Sequence, residues 1–106
     1  MTSAVPYCPK RGDLVWLSAG HRPALTLSPE AYNRKTGLAI FCPVTTRVKG
    51  YPFEVPIPAG LKASGVILAD QVKSLDWRSR GARFCCKMPG AAVAEVLDKL
   101  GVLICS

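Results

Sequence analysis

The chain has 106 residues, with 14 Lys and Arg against seven Asp and Glu, a formal net charge of +7 and a hydrophobic fraction of 49%. This length suits one small domain and excludes a second, so we treat residues 1–106 as a single domain. Apolar runs fall short of the roughly 20 residues of a membrane span, and residues 1–10 lack the apolar core of a signal peptide, so we expect a cytoplasmic protein without a membrane partner.

Short apolar runs bounded by Gly, Pro or Ser predict six β-strands. They are 13–17, 24–27, 38–44, 53–57, 66–69 and 82–87. Between the second and third runs, Ser28-Pro29-Glu30 is typical of a helix start, with Ser28 as the N-cap and proline at the first helical position. This pattern predicts a short helix over 30–33.

A second helix is predicted after Pro89-Gly90. Apolar side chains recur there at helical spacing, at Val93, Val96, Leu97 and Leu100, so the helix is amphipathic and packs on the strands. Strands this close together predict a mainly β fold: a small antiparallel barrel with one short helix and one C-terminal helix.

The composition also bears on partners and on redox state. A mean hydropathy of +0.21 is high for so small a chain, so we expect apolar surface to close against a second copy in a homodimer. The five cysteines are odd in number and form no C-x-x-C pair, which predicts reduced, mostly buried thiols rather than disulfides or a zinc site.

Basic residues cluster late in the chain. Residues 78–87 carry Arg78, Arg80, Arg83 and Lys87 and no carboxylate. A surface of this kind concentrates polyanions, which favours RNA as a partner. A merely solvated cationic face is the alternative.

The inventory of reactive side chains limits the chemistry. One histidine excludes a two-imidazole route to RNA cleavage within a single chain, and the acids form no metal-binding cluster, so neither metal nor cofactor is predicted. RNA supplies its own nucleophile, the 2'-hydroxyl, so a protein need only orient the backbone, move two protons and stabilise charge. Arginine and threonine suit the last task, which favours Arg22 and Thr45.

Four longer blocks carry a family resemblance. They are 20–29 (GHRPALTLSP), 42–46 (CPVTT), 49–55 (KGYPFEV) and 68–78 (LADQVKSLDWR). Their order and spacing resemble those of MazF/PemK-type toxins, the endoribonucleases of type II toxin–antitoxin systems. The resemblance implies an SH3-like barrel of the PemK/CcdB type, a homodimer, and a cognate antitoxin with an acidic disordered tail. It also implies cleavage of single-stranded RNA at short sequences to a cyclic phosphate.

The same resemblance assigns roles to residues. It makes Arg22 and Thr45 the principal catalytic residues and adds Asp70, since some relatives use an acid there. Residues expected to hold RNA are His21, Pro23, Thr46, Lys49, Gln71, Lys73, Arg78 and Arg80.

Each assignment has a plainer alternative. Arg22 is also placed to pair with Asp13 or Asp70, and Asp70 to cap a turn at Gln71. Thr45 and Thr46 suit a strand by their β-branching alone. The larger aromatic residues are expected in the core or the dimer interface rather than stacked against RNA bases; they are Trp16, Tyr51, Phe53 and Trp77.

Two departures from the family pattern affect the chemistry. An arginine that accompanies the acid in some relatives is replaced by Leu68. About a dozen residues that usually follow the first strand are missing after Leu17, through a natural deletion, an engineered one or an omitted disordered loop. That segment carries a glutamate in relatives, so the general base is unassigned. Two other functions follow as alternatives: a CcdB-like toxin acting on a protein target such as a topoisomerase, and an RNA-binding form without turnover.

Overall fold

The computed structural model describes residues 7–18 and 23–105. Within them the chain forms seven strands and two helices. In order they are β1 (Asp13–Trp16), β2 (Pro23–Thr26), α1 (Glu30–Thr36), β3 (Leu38–Thr45), β4 (Glu54–Pro56), β5 (Val66–Leu68), β6 (Lys73–Asp76), β7 (Arg83–Lys87) and α2 (Gly90–Cys105). The six predicted strands and both predicted helices are confirmed, and β6 is additional.

The strands form one antiparallel sheet in the order β4-β5-β3-β2-β1-β7, with β6 also paired to β3. The long strand β3 organises this arrangement. Its first half pairs with β6, its middle with β2, and its last two residues, Val44 and Thr45, with β5. The path ends at β4 and β7, so the predicted barrel is not closed by hydrogen bonds, although the mainly β class is confirmed.

Apolar side chains fill both faces of the sheet. Neighbouring residues of a strand point to opposite faces, and in β1 the fully buried Leu14 and Val15 accordingly enter two separate clusters. The first cluster includes Val93 and Val96 of α2. The second includes Phe41 and Trp77. Burial on both sides holds β1 and β3 in the middle of the domain.

A buried polar network centred on Asn33 joins α1 to the sheet. The Asn33 side-chain amide donates to the carbonyls of Pro9, 2.8 Å away, and Ser28, 3.0 Å away, and its oxygen accepts from the Ser28 hydroxyl. Its backbone carbonyl accepts from the Trp77 indole N–H at 2.9 Å. The segments around Pro9, Ser28 and Trp77 therefore meet at one fully buried residue, whose polar groups are paired.

The start of α1 differs from the prediction. Pro29 is the N-cap residue and makes no side-chain cap, whereas the Ser28 hydroxyl bonds Asn33 and accepts from the Ile40 N–H at 2.9 Å. Ser28 as N-cap is therefore wrong, because the buried amide of Asn33 and strand β3 take its hydrogen bonds. The helix also continues past residue 33, to a left-handed C-cap at Gly37 with φ of 75°.

The remaining composition-based expectations concern thiols and apolar surface. All five cysteines are free, and all but Cys105 are buried. In the described part of the chain, no helix has the length and apolar character required to cross a membrane. Along α2, Leu97, Leu103 and Ile104 are exposed, so the end of this helix presents an apolar surface.

We expect Asn33→Ala to lower the free energy of unfolding by about 3 kcal/mol, because it leaves two buried carbonyls and the Ser28 hydroxyl without their partner. Chemical denaturation monitored by circular dichroism measures the change. Lys35→Ala, on the exposed side of the same helix, serves as the control and should remain within about 0.5 kcal/mol of the parent chain. Equal stability of the two variants would contradict a central role for the Asn33 network.

Candidate nucleic-acid interface

A groove of about 200 Å³ lies at the end of β3. We call it the Thr45 groove; its lining residues are Thr45, Arg47, Lys49, Tyr51, Phe53, Glu54, Leu68, Asp70 and Gln71. The fold thus brings together four of the residues selected from the sequence: Thr45, Lys49, Asp70 and Gln71. They come from the end of β3, the loop before β4 and the turn after β5.

The backbone around Thr45 is packed tightly. Gly65, just before β5, has φ of +111°, and a Cβ atom there would lie 2.2 Å from the Thr45 carbonyl oxygen. Glycine is therefore required by both the conformation and the contact. The Thr45 hydroxyl accepts from the Arg47 N–H at 3.1 Å. Because a hydroxyl also carries one proton, Thr45 can still donate to a ligand in the groove.

Glu54 also lines the Thr45 groove. Its buried carboxylate accepts from the backbone N–H groups of Lys49, 3.1 Å away, and Gly50, 2.9 Å away. The Glu54 N–H in turn donates to the Tyr51 carbonyl at 3.1 Å. The carboxylate thereby fixes the loop that presents Lys49 and Tyr51 to the groove.

The groove combines aromatic, cationic and amide groups. The Lys49 ammonium lies 5.7 Å from the centre of the exposed Tyr51 ring, and Phe53 is half-buried beside it. Asp70 and Gln71 are exposed, in a turn closed by the Gln71 N–H on the Leu68 carbonyl at 3.1 Å. A flat ring beside cations and an amide is a suitable surface for an unpaired base and its phosphate.

A second groove of about 230 Å³ adjoins the first and contains Pro23 and Lys73. Pro43 lines the second groove and Thr45 the first; these alternate residues of β3 lie on the same face of the strand, so the grooves lie side by side. Pro23 pairs with Trp16 across β1 and β2, which leaves residues 17–22 to join these strands.

His21 and Arg22 lie outside the described residues. Their flanks are nevertheless placed: Pro23 lines the second groove, and the Ser18 N–H donates to the Arg80 carbonyl at 2.6 Å. The residues that flank this segment, Leu17 and Pro23, therefore lie beside the second groove, with the exposed Arg80 next to Ser18.

Two other candidates lie outside the Thr45 groove. Thr46 follows Thr45 and is exposed, without lining the groove. Arg78 donates to the Arg34 carbonyl at 2.6 Å, and its guanidinium carbon lies 5.1 Å from the Trp77 ring centre. Arg78 thus contacts the end of α1, away from Asp70 and Thr45.

The structure also bears on the alternative roles of Asp13, which was a possible partner of Arg22, and of the aromatic residues, which were expected in the core or the dimer interface. Asp13 is buried, and its carboxylate accepts from the Lys87 ammonium at 2.7 Å and from the Tyr7 hydroxyl and the Lys10 N–H. Trp77 is buried, as expected, whereas Tyr51 is exposed. Tyr51 lines the groove and is not part of the core; a place in the dimer interface stays a prediction.

A cysteine nucleophile is not supported near the groove. Cys42 lies in the core behind it, and burial, together with the charge of Asp70, raises the pKa of the Cys42 thiol to about 12. The thiol is therefore protonated at neutral pH. Among residues 7–18 and 23–105, no three His, Cys, Asp or Glu side chains are grouped to hold a metal ion.

Sequence reasoning missed several groove residues. They are Arg47, Tyr51, Phe53, Glu54 and Leu68. Arg47 had a visible signal, since it is a cation two positions after Thr45. Glu54 had none, because only the folded loop brings the amides of Lys49 and Gly50 to its carboxylate.

Comparison with known proteins defines the class of this fold and site. The family model of PemK-like, MazF-like toxins of type II toxin–antitoxin systems matches residues 10–104. The endoribonuclease toxin MazF of Escherichia coli K12 is 53% identical over 107 residues, covering 92% of this chain and 96% of that protein. A crystal structure of MazE–MazF from Deinococcus radiodurans superposes with a TM-score of 0.90 at 58% identity, covering 92% of this chain and 97% of the other.

The chain therefore belongs to the PemK-like, MazF-like family of type II toxins. The comparison also bears on the short connection after Leu17. Because 92% of this chain is about 98 residues, about nine of the 107 aligned positions have no residue here. This number is similar to the dozen residues expected to be missing before Arg22.

We expect Gly65→Ala to be more destabilising than Gly60→Ala by about 2 kcal/mol. Both positions have a left-handed φ, +111° and +93° respectively, so both substitutions share that strain, but a Cβ atom at Gly60 has no neighbour within 4 Å. Only the Gly65 variant must push the Thr45 backbone aside. Thermal unfolding of the two variants measures the difference, and equal melting temperatures would contradict the tight packing around Thr45.

Proposed function

We propose that this chain is a sequence-specific endoribonuclease toxin that cleaves single-stranded RNA, including mRNA, and so inhibits translation and growth. The observation that carries the proposal is the Thr45 groove, in a chain 53% identical to the endoribonuclease toxin MazF. The 2'-hydroxyl attacks the adjacent phosphorus and the bond to the 5'-oxygen breaks. The products are a 2',3'-cyclic phosphate and a 5'-hydroxyl.

Arg22 and Thr45 stabilise the charge on the phosphorus oxygens. A guanidinium can donate two parallel hydrogen bonds to a phosphate, and Pro23 anchors the Arg22 segment at the second groove. The Thr45 hydroxyl adds a third donor, because its contact with the Arg47 N–H uses only an acceptor position. Donors fixed before the reaction are the main source of rate enhancement in such a site.

Asp70 is the acid that we assign to proton transfer. Two carboxylates line the Thr45 groove, Asp70 and Glu54. Glu54 is buried and accepts from two backbone N–H groups, so protonating it would break the loop contacts. Asp70 is exposed at the groove, where its carboxylate can reach the RNA. This assignment suits a chain with a shortened first loop.

The two grooves provide a path for the RNA strand. Lys49 and Arg47 neutralise phosphates on one side of Thr45, and Lys73 on the other. Gln71 presents an amide to a base edge. We assign Thr46 and Arg80 to the same path, because Thr46 follows Thr45 and Arg80 lies beside Ser18, and we include His21, which is next to Arg22 in sequence.

Partners follow from the family and from charge. A cognate antitoxin with an acidic disordered tail neutralises the toxin by covering the basic surface, and a 58% identical MazF is known with MazE bound. We infer a homodimer, to which the apolar residues of α2, Leu97, Leu103 and Ile104, contribute. Residues 1–106 act as one domain, in the cytoplasm, where mRNA is translated.

Incubation with a mixed single-stranded RNA pool in the presence of a chelator tests the proposed activity. We expect cuts at a recurrent short motif, with a 5'-hydroxyl on each downstream fragment. Arg22→Ala and Thr45→Val should each slow cleavage about 10²–10³-fold, since each removes a donor to the transition state. Asp70→Asn should slow it while sparing RNA binding.

Arg34→Ala provides the matched control, because Arg34 lies on α1, away from both grooves, and should leave cleavage unchanged. RNA that stays intact at high protein concentration would contradict the proposed cleavage. Salt-sensitive binding in that case would identify the form without turnover. Absence of binding would favour a protein target.

Two arginine variants distinguish a side chain that contacts RNA from one that only supports the fold. Measured in the Thr45→Val background, Arg47→Ala should weaken RNA binding and reduce the slope of log affinity against log salt by about 1, because Arg47 lines the groove. Arg78→Ala should instead leave affinity unchanged and lower the melting temperature, because it loses the Arg34 and Trp77 contacts. A reduced salt slope for Arg78→Ala would place Arg78 on the RNA path.

A further inference from the structure

Two adjacent cysteines in β7 share one face of the sheet. In the pairing of β1 with β7, Leu14 lies opposite Cys86 and Val15 opposite Phe84, so Cys85 is an extra residue in a β-bulge. Adjacent side chains of a regular strand point to opposite faces. Here Cys85 and Cys86 are both buried in the same apolar cluster, with their sulfur atoms 3.8 Å apart.

A disulfide between these sulfurs is disfavoured by the backbone. Bridged cysteines have Cα atoms about 4.4–6.8 Å apart, whereas consecutive Cα atoms across a trans peptide are only about 3.8 Å apart. Closing the S–S bond would therefore strain the bulge and make the bond easy to reduce. Both thiols are free in the structure.

The same spacing suits a single atom bonded to both sulfurs. Two sulfurs bonded at about 2.3 Å to one centre lie about 3.3–3.8 Å apart, for bond angles from about 90°, near that of a pyramidal trivalent centre, up to the tetrahedral value; the observed spacing is at the upper end of this range. A structural metal ion of that kind needs four ligands, and among the described residues no third His, Cys, Asp or Glu joins the pair. The pair therefore favours a thiophilic centre that is satisfied by two sulfurs.

We propose that Cys85 and Cys86 form a two-thiol binding site for trivalent arsenic compounds. With an organoarsenic oxide the site reacts as R–As=O + 2 Cys–SH → R–As(S–Cys)2 + H2O. Two As–S bonds form, the As=O bond and two S–H bonds break, and both protons leave in the water. Arsenic stays trivalent, so the step requires neither oxidant nor reductant.

The surroundings of the pair favour capture by both sulfurs over reaction at one. Burial, assisted by the contact with Cys86, raises the pKa of the Cys85 thiol to about 11, so reagents that need a single thiolate react slowly. The positive charge of Lys62 lowers the pKa of the Cys85 thiol, against the larger effect of burial. The loop that precedes Lys62 is exposed from Pro58 to Gly60. Strand β7 ends the sheet path, so local opening of this edge gives the reagent access.

Phenylarsine oxide is the probe for the test. Intact-mass spectrometry of the folded chain should show one adduct that survives excess monothiol and is removed by a small dithiol. Peptide mapping of the adduct should place it on the peptide that contains Cys85 and Cys86. Cys42→Ser, which alters an isolated buried thiol, is the matched control and should retain the adduct.

Each of Cys85 and Cys86 is changed to Ser and to Ala, and the variants that keep the parent circular dichroism spectrum are compared. Loss of the dithiol-reversible adduct in these variants supports the site. Three results would overturn it: no adduct on the folded chain, an adduct mapped to another cysteine, or an adduct that persists when either sulfur is removed.

Discussion

The buried amide of Asn33 is the constraint on which the arrangement of the chain most depends. A polar group without water must find protein partners, and Asn33 finds them in the segments around Pro9 and Ser28 and, through its carbonyl, at Trp77. These segments are far apart in sequence. Because their hydrogen bonds converge on one side chain and its backbone, α1 can pack in only one position, and that position sets where β3 begins.

Strand β3 transmits this constraint to the functional surface. It leaves Gly37 beside the Asn33 network, crosses the sheet between β2 and β6, and ends at Thr45, where the Gly65 backbone contacts it closely. The Thr45 hydroxyl is consequently presented from a buried strand rather than from a flexible loop. Preorganisation of this kind is what a donor to a transition state requires, since misplacement by about 1 Å can cost about 100-fold in rate.

Some positive charges of the chain serve the fold, and others line the Thr45 groove. Lys87 is paired with the buried Asp13, and Arg34 with Glu30, while Arg78 supports α1. Arg47 and Lys49 instead line the Thr45 groove. A net charge of +7 therefore indicates an attraction to polyanions, while the most basic stretch of sequence also supplies structural contacts through Lys87 and Arg78.

The sequence by itself determined the strand pattern, both helices and the family, because hydrophobic periodicity, Gly and Pro positions and local motifs are properties of neighbouring residues. It also selected Thr45, Asp70, Lys49 and Gln71, which the groove unites. Strand β6 was missed because Lys73, Ser74 and Asp76 are poor strand formers; pairing with β3 makes them a strand. Only the tertiary structure decided that the sheet stays open, that Glu54 holds the groove loop, and that Tyr51 faces the groove. These outcomes depend on contacts between residues distant in the chain, and local sequence patterns do not encode such contacts.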